Sequence, residues 1–232
     1  ARGDLGVEVP FVEVPAIQKQ LINKCRLMGT RVITATEMLE SMIHSYNPTR
    51  AEITDVANAV FDGTSAVMLS GETAVGEHPD RVVEVMSSIV TQAESDALKM
   101  NMFKENYFVS ENDTANALCD AACTTARDLK AQAIITLTKS GHTARRLSKF
   151  RPYEPIVAST PEIKTYHQLS LSWGILPVLA LSQESEDKLF RHALDCAKQI
   201  DVVSRGDTVV ILGGAPINVS GNTNMLKVMI AD

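Results

Sequence analysis

Positive charge is scarce in this sequence: 22 Lys and Arg stand against 28 Asp and Glu, a formal net charge of -6 over 232 residues. That balance exerts no general pull toward nucleic acid or an anionic membrane, so an anionic ligand has to be met by a local site. Cysteine is scarce as well. Cys25, Cys119, Cys123 and Cys196 are irregularly placed, which excludes a disulfide framework, and the five histidines form no cluster to complete a metal site with Cys119 and Cys123. The four read as buried free thiols. Long apolar runs are missing: stretches such as Ala133 to Leu137 fall far short of the ~20 residues a membrane helix needs. No signal peptide opens the chain, so the expected location is the cytosol, with no membrane partner. There is no internal repeat and no low-complexity tract. What is present, 45% hydrophobic and 22% charged residues, is the composition of a compact globular protein, and at ~150 residues per domain the length allows one large domain or two modest ones.

Apolar residues recur at helical spacing at Ile17, Leu21, Cys25 and Met28, before Gly29. Arg31 to Thr36 and Ser65 to Ser70 read as short parallel strands buried on both faces. Between them Thr49-Arg50-Ala51-Glu52 has the form of a capping box, followed by the apolar stripe Ile53, Val56, Ala57, Val60 and Phe61. A long helix starts at Pro79. Residues 1 to 6 read as a glycine-punctuated loop, and 101 to 113 as a linker. Strands and helices then alternate: helix Thr114 to Leu129, strand Ala133 to Leu137, helix His142 to Lys149, strand Pro155 to Ser159 and helix Pro161 to Leu169. Strand Ile175 to Leu179, interrupted by proline, helix Ser185 to Ile200, and strands Thr208 to Leu212 and Asn224 to Ile230 complete an open, mostly parallel α/β domain.

Three groups of residues carry candidate chemistry. Arg2-Gly3-Asp4 offers backbone N–H groups for an anion and a carboxylate for a hard divalent cation; its alternative is a loop with an N-capping Asp. Thr36 and Ser70 end adjacent strands, where hydroxyls serve proton relay or phosphate contact, or simply cap and turn the chain. Thr138-Lys139-Ser140-Gly141-His142-Thr143 combines hydroxyls, an ammonium and a glycine between a strand and a helix, a receiver for phosphate or a capped turn. Trp173 and the methionines read as packing. Arg145-Arg146, with Lys149 and Arg151, is too short a basic patch for nucleic acid and reads as a solvated helix end.

Ala-Arg-Gly-Asp-Leu-Gly-Val-Glu at 1 to 8, Ile-Thr-Ala-Thr at 33 to 36, Pro-Thr-Arg-Ala-Glu at 48 to 52, Asp-Val-Ala-Asn-Ala-Val at 55 to 60, Met-Leu-Ser-Gly-Glu-Thr at 68 to 73 and Ser-Gly-Asn-Thr-Asn at 220 to 224 resemble pyruvate kinases in order and spacing. The resemblance implies an α/β chain: the C-terminal part of a catalytic TIM (β/α)8 barrel at 1–100, a linker at 101–113 and an α/β regulatory, effector-binding domain at 114–232. A full barrel takes about 250 residues, so the first part is a partial barrel. The implied reaction is phosphoryl transfer from phosphoenolpyruvate to ADP, giving pyruvate and ATP in glycolysis. By resemblance Asp4 ligates Mg2+ or Mn2+, the backbone around Arg2, Gly3 and Asp4 holds the substrate carboxylate at a short helix N-terminus, and Thr36 lies beside the carbon that gains a proton. Ser70 belongs to the same hydroxyl relay. Arg50 and Glu52 match a motif of loop anchoring and subunit contact. Thr138, Lys139, Ser140, Gly141, His142 and Thr143 match the phosphate grip of the allosteric site, which Pro216 to Asn224 closes. A sugar phosphate or AMP, mono- or bisphosphate, is the implied effector.

One departure stands out: Glu37 replaces the family's usual glutamine and brings an anion near an anionic substrate. The family's substrate arginine, catalytic lysine, second metal carboxylate and K+ ligands lie upstream of the segment matched by Ala1. The chain alone is therefore expected to be inactive. A homotetramer is the implied assembly, with no nucleic-acid partner. The competing expectations are a stand-alone module binding a phosphorylated metabolite and a structural subunit for a separate catalytic chain.

Overall fold

The computed structural model describes residues 1–103, 113–181, 185–214 and 222–232, with the main chain alone at Glu186. It divides into two compact units, Ala1–Asn106 and Tyr107–Asp232. Most of the expected linker, and residues 216 to 221 of the loop expected to close the effector site, lie outside the described residues.

The first unit opens with a helix, α1 (Arg2–Glu8), where the sequence predicts a loop. Gly3 and Gly6 weaken any helix by about 1 kcal/mol each, and α1 buries none of its residues. Its anchor is remote in sequence: the Arg2 guanidinium donates to the Thr36 carbonyl and pairs with Asp55. After a 3-10 turn at Phe11–Glu13, α2 (Val14–Met28) has Pro15 in its first turn. It ends at Gly29, whose φ of 67° allows the Gly29 and Thr30 N–H groups to satisfy the last carbonyls.

Strand β1 (Ile33–Ala35) precedes a 3-10 turn at Glu40–Ile43 and α3 (Arg50–Phe61). Strand β2 (Ala66–Met68), the single turn α4 (Gly71–Ala74) and α5 (Pro79–Lys99) follow. The strands pair in parallel, Ile33 with Ala66 through Ala35 with Met68. Each is half the predicted length, because the backbone turns left-handed at Thr36 and Ser70 becomes the N-cap of α4. Burial on both faces does not hold either. Ile33 and Met68 are exposed, since a sheet of two strands leaves both edges open. The core of this unit lies beyond the strands, where Met38, Leu39 and Met42 meet Val56 and Ala59 of α3 and Val82 and Met86 of α5.

The second unit has a five-stranded sheet in the order β5-β4-β3-β6-β7. Its elements are α6 (Thr114–Leu129), β3 (Ala133–Leu137), α7 (His142–Lys149), β4 (Ile156–Thr160), α8 (Ile163–Leu169), β5 (Ile175–Leu179), α9 (Glu186–Gln199), β6 (Thr208–Gly213) and β7 (Met225–Ile230). Four strands are parallel and β7 is antiparallel to β6. Pro177 is tolerated because β5 is an edge strand, where a missing N–H breaks no central ladder. Alternate residues of β3 face opposite layers: Ile134 packs with α6, α7 and α8, and Ile135 with α9.

The basic residues at the end of α7 are not a solvated patch. Arg151 is buried, bonds the Ser148 carbonyl and stacks on Trp173. Arg146 pairs with Asp113 at 3.0 Å. Long side chains bury their stems wherever a partner receives the head, which local sequence does not reveal. All four cysteines are free, but of the expected buried thiols only Cys119 and Cys196 are buried, while Cys25 and Cys123 are partly exposed. Burial pushes the Cys119 thiol up to about 12 and raises Cys123 and Cys196 as well, so these are inert thiols.

Candidate functional site

The C-terminal ends of β1 and β2 carry the first cluster. The β-branched Thr36 has a φ of 71°, and Glu37 follows at 54°. Two such residues in succession cost about 1–3 kcal/mol each and persist only where the surroundings fix them. Arg2 does the fixing: its Nη2 donates to the carbonyls of Thr36 (2.6 Å) and Glu37 (3.1 Å), and Nε again to Thr36 (3.2 Å). The guanidinium is thus engaged with backbone and Asp55, and what Arg2 and Gly3 offer a ligand is main chain. The Gly3 N–H donates to Thr36 Oγ1 at 3.1 Å, and that hydroxyl donates to the Ala35 carbonyl at 2.6 Å. Asp4 is exposed in the first turn of α1. Glu37 is exposed, which removes the anion it carries from the packed side of the turn.

Ser70 sits at the end of β2, and its hydroxyl makes no capping bond. Its backbone N–H donates to Glu72 Oε2 at 2.7 Å, while Oε1 of the same carboxylate accepts the Leu39 N–H at 3.1 Å. Glu72, 0% exposed, therefore ties the turn after β1 to the turn after β2. In the sequence Glu72 stands only as part of the Met-Leu-Ser-Gly-Glu-Thr motif, and the one local signal of this role is an acidic residue one turn past a strand end.

Glu52 closes the predicted capping box and also reaches sideways. Its carboxylate accepts from Thr49 N, Thr49 Oγ1, Ser41 N and Ser41 Oγ within 2.6–2.8 Å. Burial on its own pushes this carboxyl up, but the bonds from Ser41 and Thr49 outweigh it and hold it below the usual carboxylate range. A lowered value stabilises the fold above the ordinary carboxylate pKa, a contribution lost as pH falls through the folded-state value. Glu52→Gln is therefore expected to lower urea stability by about 1 kcal/mol at neutral pH. The gap from the unaltered chain should close below about pH 4; a gap independent of pH would contradict this account.

The second cluster is the turn from β3 into α7. Gly141, at a φ of 76°, is the N-cap and supplies no side-chain cap, so the first N–H groups of α7 keep their outward direction. Thr138 is structural in part: its hydroxyl accepts the Gly141 N–H at 2.9 Å. Thr165 Oγ1 donates to the Lys139 carbonyl at 2.9 Å, and Lys139 Nζ lies 3.9 Å from Glu162. Lys139, Ser140 and His142 are exposed. Burial, Arg146 and Arg145 lower the His142 pKa against the opposing pull of Asp113, so its imidazole is neutral at physiological pH. The Thr143 hydroxyl is buried and meets Thr223 Oγ1 at 2.7 Å.

Residues 1–83 match the family model of the pyruvate kinase barrel domain, and residues 116–229 that of the pyruvate kinase alpha/beta domain. The chain belongs to the pyruvate kinase family. It is 46% identical to the pyruvate kinase of Clostridium acetobutylicum over 232 residues, which is all of this chain and 49% of that protein. It is 43% identical to the pyruvate kinase of Staphylococcus epidermidis over 98% of this chain and 39% of the other, and 45% identical to that of Lactobacillus delbrueckii subsp. bulgaricus over 99% and 39%. The chain thus spans about half the length, or less, of the curated pyruvate kinases it matches. Among the described residues no helix is long and apolar enough to cross a membrane.

Proposed function

We propose that this chain contributes part of the active site of a cytosolic pyruvate kinase, together with its effector site. In that reaction the bond between phosphorus and the enol oxygen of phosphoenolpyruvate breaks, the phosphoryl group passes to ADP, and the enolate takes a proton on carbon to give pyruvate. The observation that carries the reading is the meeting of the Gly3 N–H with the Thr36 hydroxyl on a strained left-handed turn at the end of β1, beside the uncapped Ser70 hydroxyl at the end of β2. Strain of this kind is retained where function requires the geometry. The Thr36 and Ser70 hydroxyls are weak acids, so their role is to hand on a proton delivered from elsewhere toward the enolate carbon. Backbone N–H groups around Gly3 and Asp4 orient the substrate carboxylate. A free-standing binding module would have no use for these groups.

Membership of the family implies a divalent cation, Mg2+ or Mn2+, and K+. Among the described residues no three His, Cys, Asp or Glu side chains form a group that could hold a metal ion. Asp4 is a hard oxygen ligand, yet one carboxylate does not make a site, so the residues here do not fit the cation by themselves and no step is routed through it. A coupled assay of this chain fused behind the complementary part of the Clostridium acetobutylicum enzyme tests the reading. Turnover with phosphoenolpyruvate, ADP, Mg2+ and K+ is expected, and a folded fusion without turnover would count against it.

The turn at residues 138–143 is the proposed effector site, with the Ser140 hydroxyl, the Lys139 ammonium and the first N–H groups of α7 receiving a phosphate. His142, Thr138 and Thr143 shape it, in a homotetramer with no nucleic acid or membrane partner. Calorimetry with AMP, glucose 6-phosphate and fructose 1,6-bisphosphate should detect binding. Ser140→Ala and Lys139→Ala should each weaken it about fivefold to tenfold; unchanged affinity in both would move the effector site elsewhere.

A further inference from the structure

We propose that His192 is a pH-sensitive latch: its neutral imidazole holds the chain where it leaves the edge strand β5, and protonation opens that hold. The Ala180 N–H still belongs to the sheet, donating to the Thr160 carbonyl at 2.9 Å. The next N–H, of Leu181, turns away from the ladder and donates to His192 Nε2 on α9 at 2.9 Å. A ring nitrogen that accepts carries no proton, so Nδ1 holds the one hydrogen and the imidazole is neutral wherever this bond exists. Protonation converts Nε2 into a donor facing the Leu181 N–H, and the bond is lost. The Leu181 side chain is 74% exposed, so its burial contributes little to holding this position.

One turn along α9, Cys196 Sγ lies 3.8 Å from Nε2 and donates to the Leu179 carbonyl at 3.9 Å, a second tie between this helix and the end of β5. Burial raises that thiol, so it stays uncharged while an imidazole titrates. Next to it Asp195 pairs with Lys198 at 3.6 Å. Lys188, one turn before His192, and Arg191 are exposed, and both oppose a positive charge on the ring. Helix α9 packs on β3, β4, β5, β6 and β7, and the first four of these strands carry no titratable side chain. Lys227 of β7 lies over Phe190 and 3.6 Å from Asp187, in the first turns of α9. A bond made only by the neutral ring stabilises this junction at higher pH, and that contribution is lost as pH falls. Acid therefore loosens the tie from Leu181 to α9 and spares the ladder of the sheet.

Nuclear magnetic resonance on the full chain tests this. At about pH 8 the ring nitrogen shifts of His192 should report the Nδ1–H tautomer; the Nε2–H tautomer would overturn the proposal, whatever a variant does. Between about pH 8 and about pH 5 amide exchange at Leu181 should speed up about fivefold relative to Ala180, a ratio in which the intrinsic pH dependence of exchange cancels. His192→Gln offers an acceptor that does not titrate, so in that protein the ratio should stay flat over the same range. A ratio constant within twofold in the unaltered chain, or the same rise in the glutamine protein, overturns the latch.

Discussion

A polypeptide of these 232 residues and nothing more is expected to convert phosphoenolpyruvate and ADP at least ~10^4-fold more slowly than an intact pyruvate kinase. A phosphoryl transition state spreads negative charge over three oxygens, and losing even one positioned donor in such a site costs about 10^2–10^3 in rate. Around Thr36 and Ser70 the chain supplies hydroxyls, backbone N–H groups and the Asp4 carboxylate, while the nearby guanidinium of Arg2 is committed to the Thr36 carbonyl and Asp55. Among the described residues no three His, Cys, Asp or Glu side chains form a group that could hold a metal ion. A coupled assay checks this, and turnover within tenfold of an intact enzyme would contradict it.

Glu72→Ala should be among the most damaging single changes in the first unit. The carboxylate is fully buried and accepts two backbone N–H groups, from Leu39 and Ser70. Removing it strands both donors in the interior and leaves a gap, at a cost of about 3 kcal/mol. For a unit of this size that corresponds to a fall in Tm of ~10 °C or more. Glu72→Gln, which keeps one acceptor and turns an amide N–H2 toward the other donor, should cost roughly half as much. Thermal unfolding followed by circular dichroism measures both; a loss under 1 kcal/mol for alanine would show that the two turns are held by something other than this carboxylate.

The alternation of strand and helix was legible in the sequence because its signals are local. The Thr49–Glu52 capping box, Pro79 at the start of α5 and the β-branched runs each act on their own few residues. The effector turn was legible for the same reason, since hydroxyls, lysine and glycine follow one another along the chain. Helix α1 is not legible from local signals, only through the family resemblance, because its anchor is Arg2 reaching residues more than thirty positions away. The length of β1 depended on a threonine adopting a backbone that threonine disfavours, which propensity argues against. The role of Glu72 is not legible either: a carboxylate looks alike in sequence whether it points into solvent or across a fold, and only the packing of neighbouring turns decides.

The most direct measurement concerns Thr36, in this chain fused behind the complementary part of the Clostridium acetobutylicum pyruvate kinase. On the proposed reading, in which the Thr36 hydroxyl hands on a proton beside the bound substrate, Thr36→Ala should lower kcat about 100-fold with a smaller change in the KM for phosphoenolpyruvate. Thr36→Ser, which keeps the hydroxyl, should recover most of the rate. Equal kcat for the threonine and alanine proteins, both folded, would contradict the claim that the end of β1 is part of the active site.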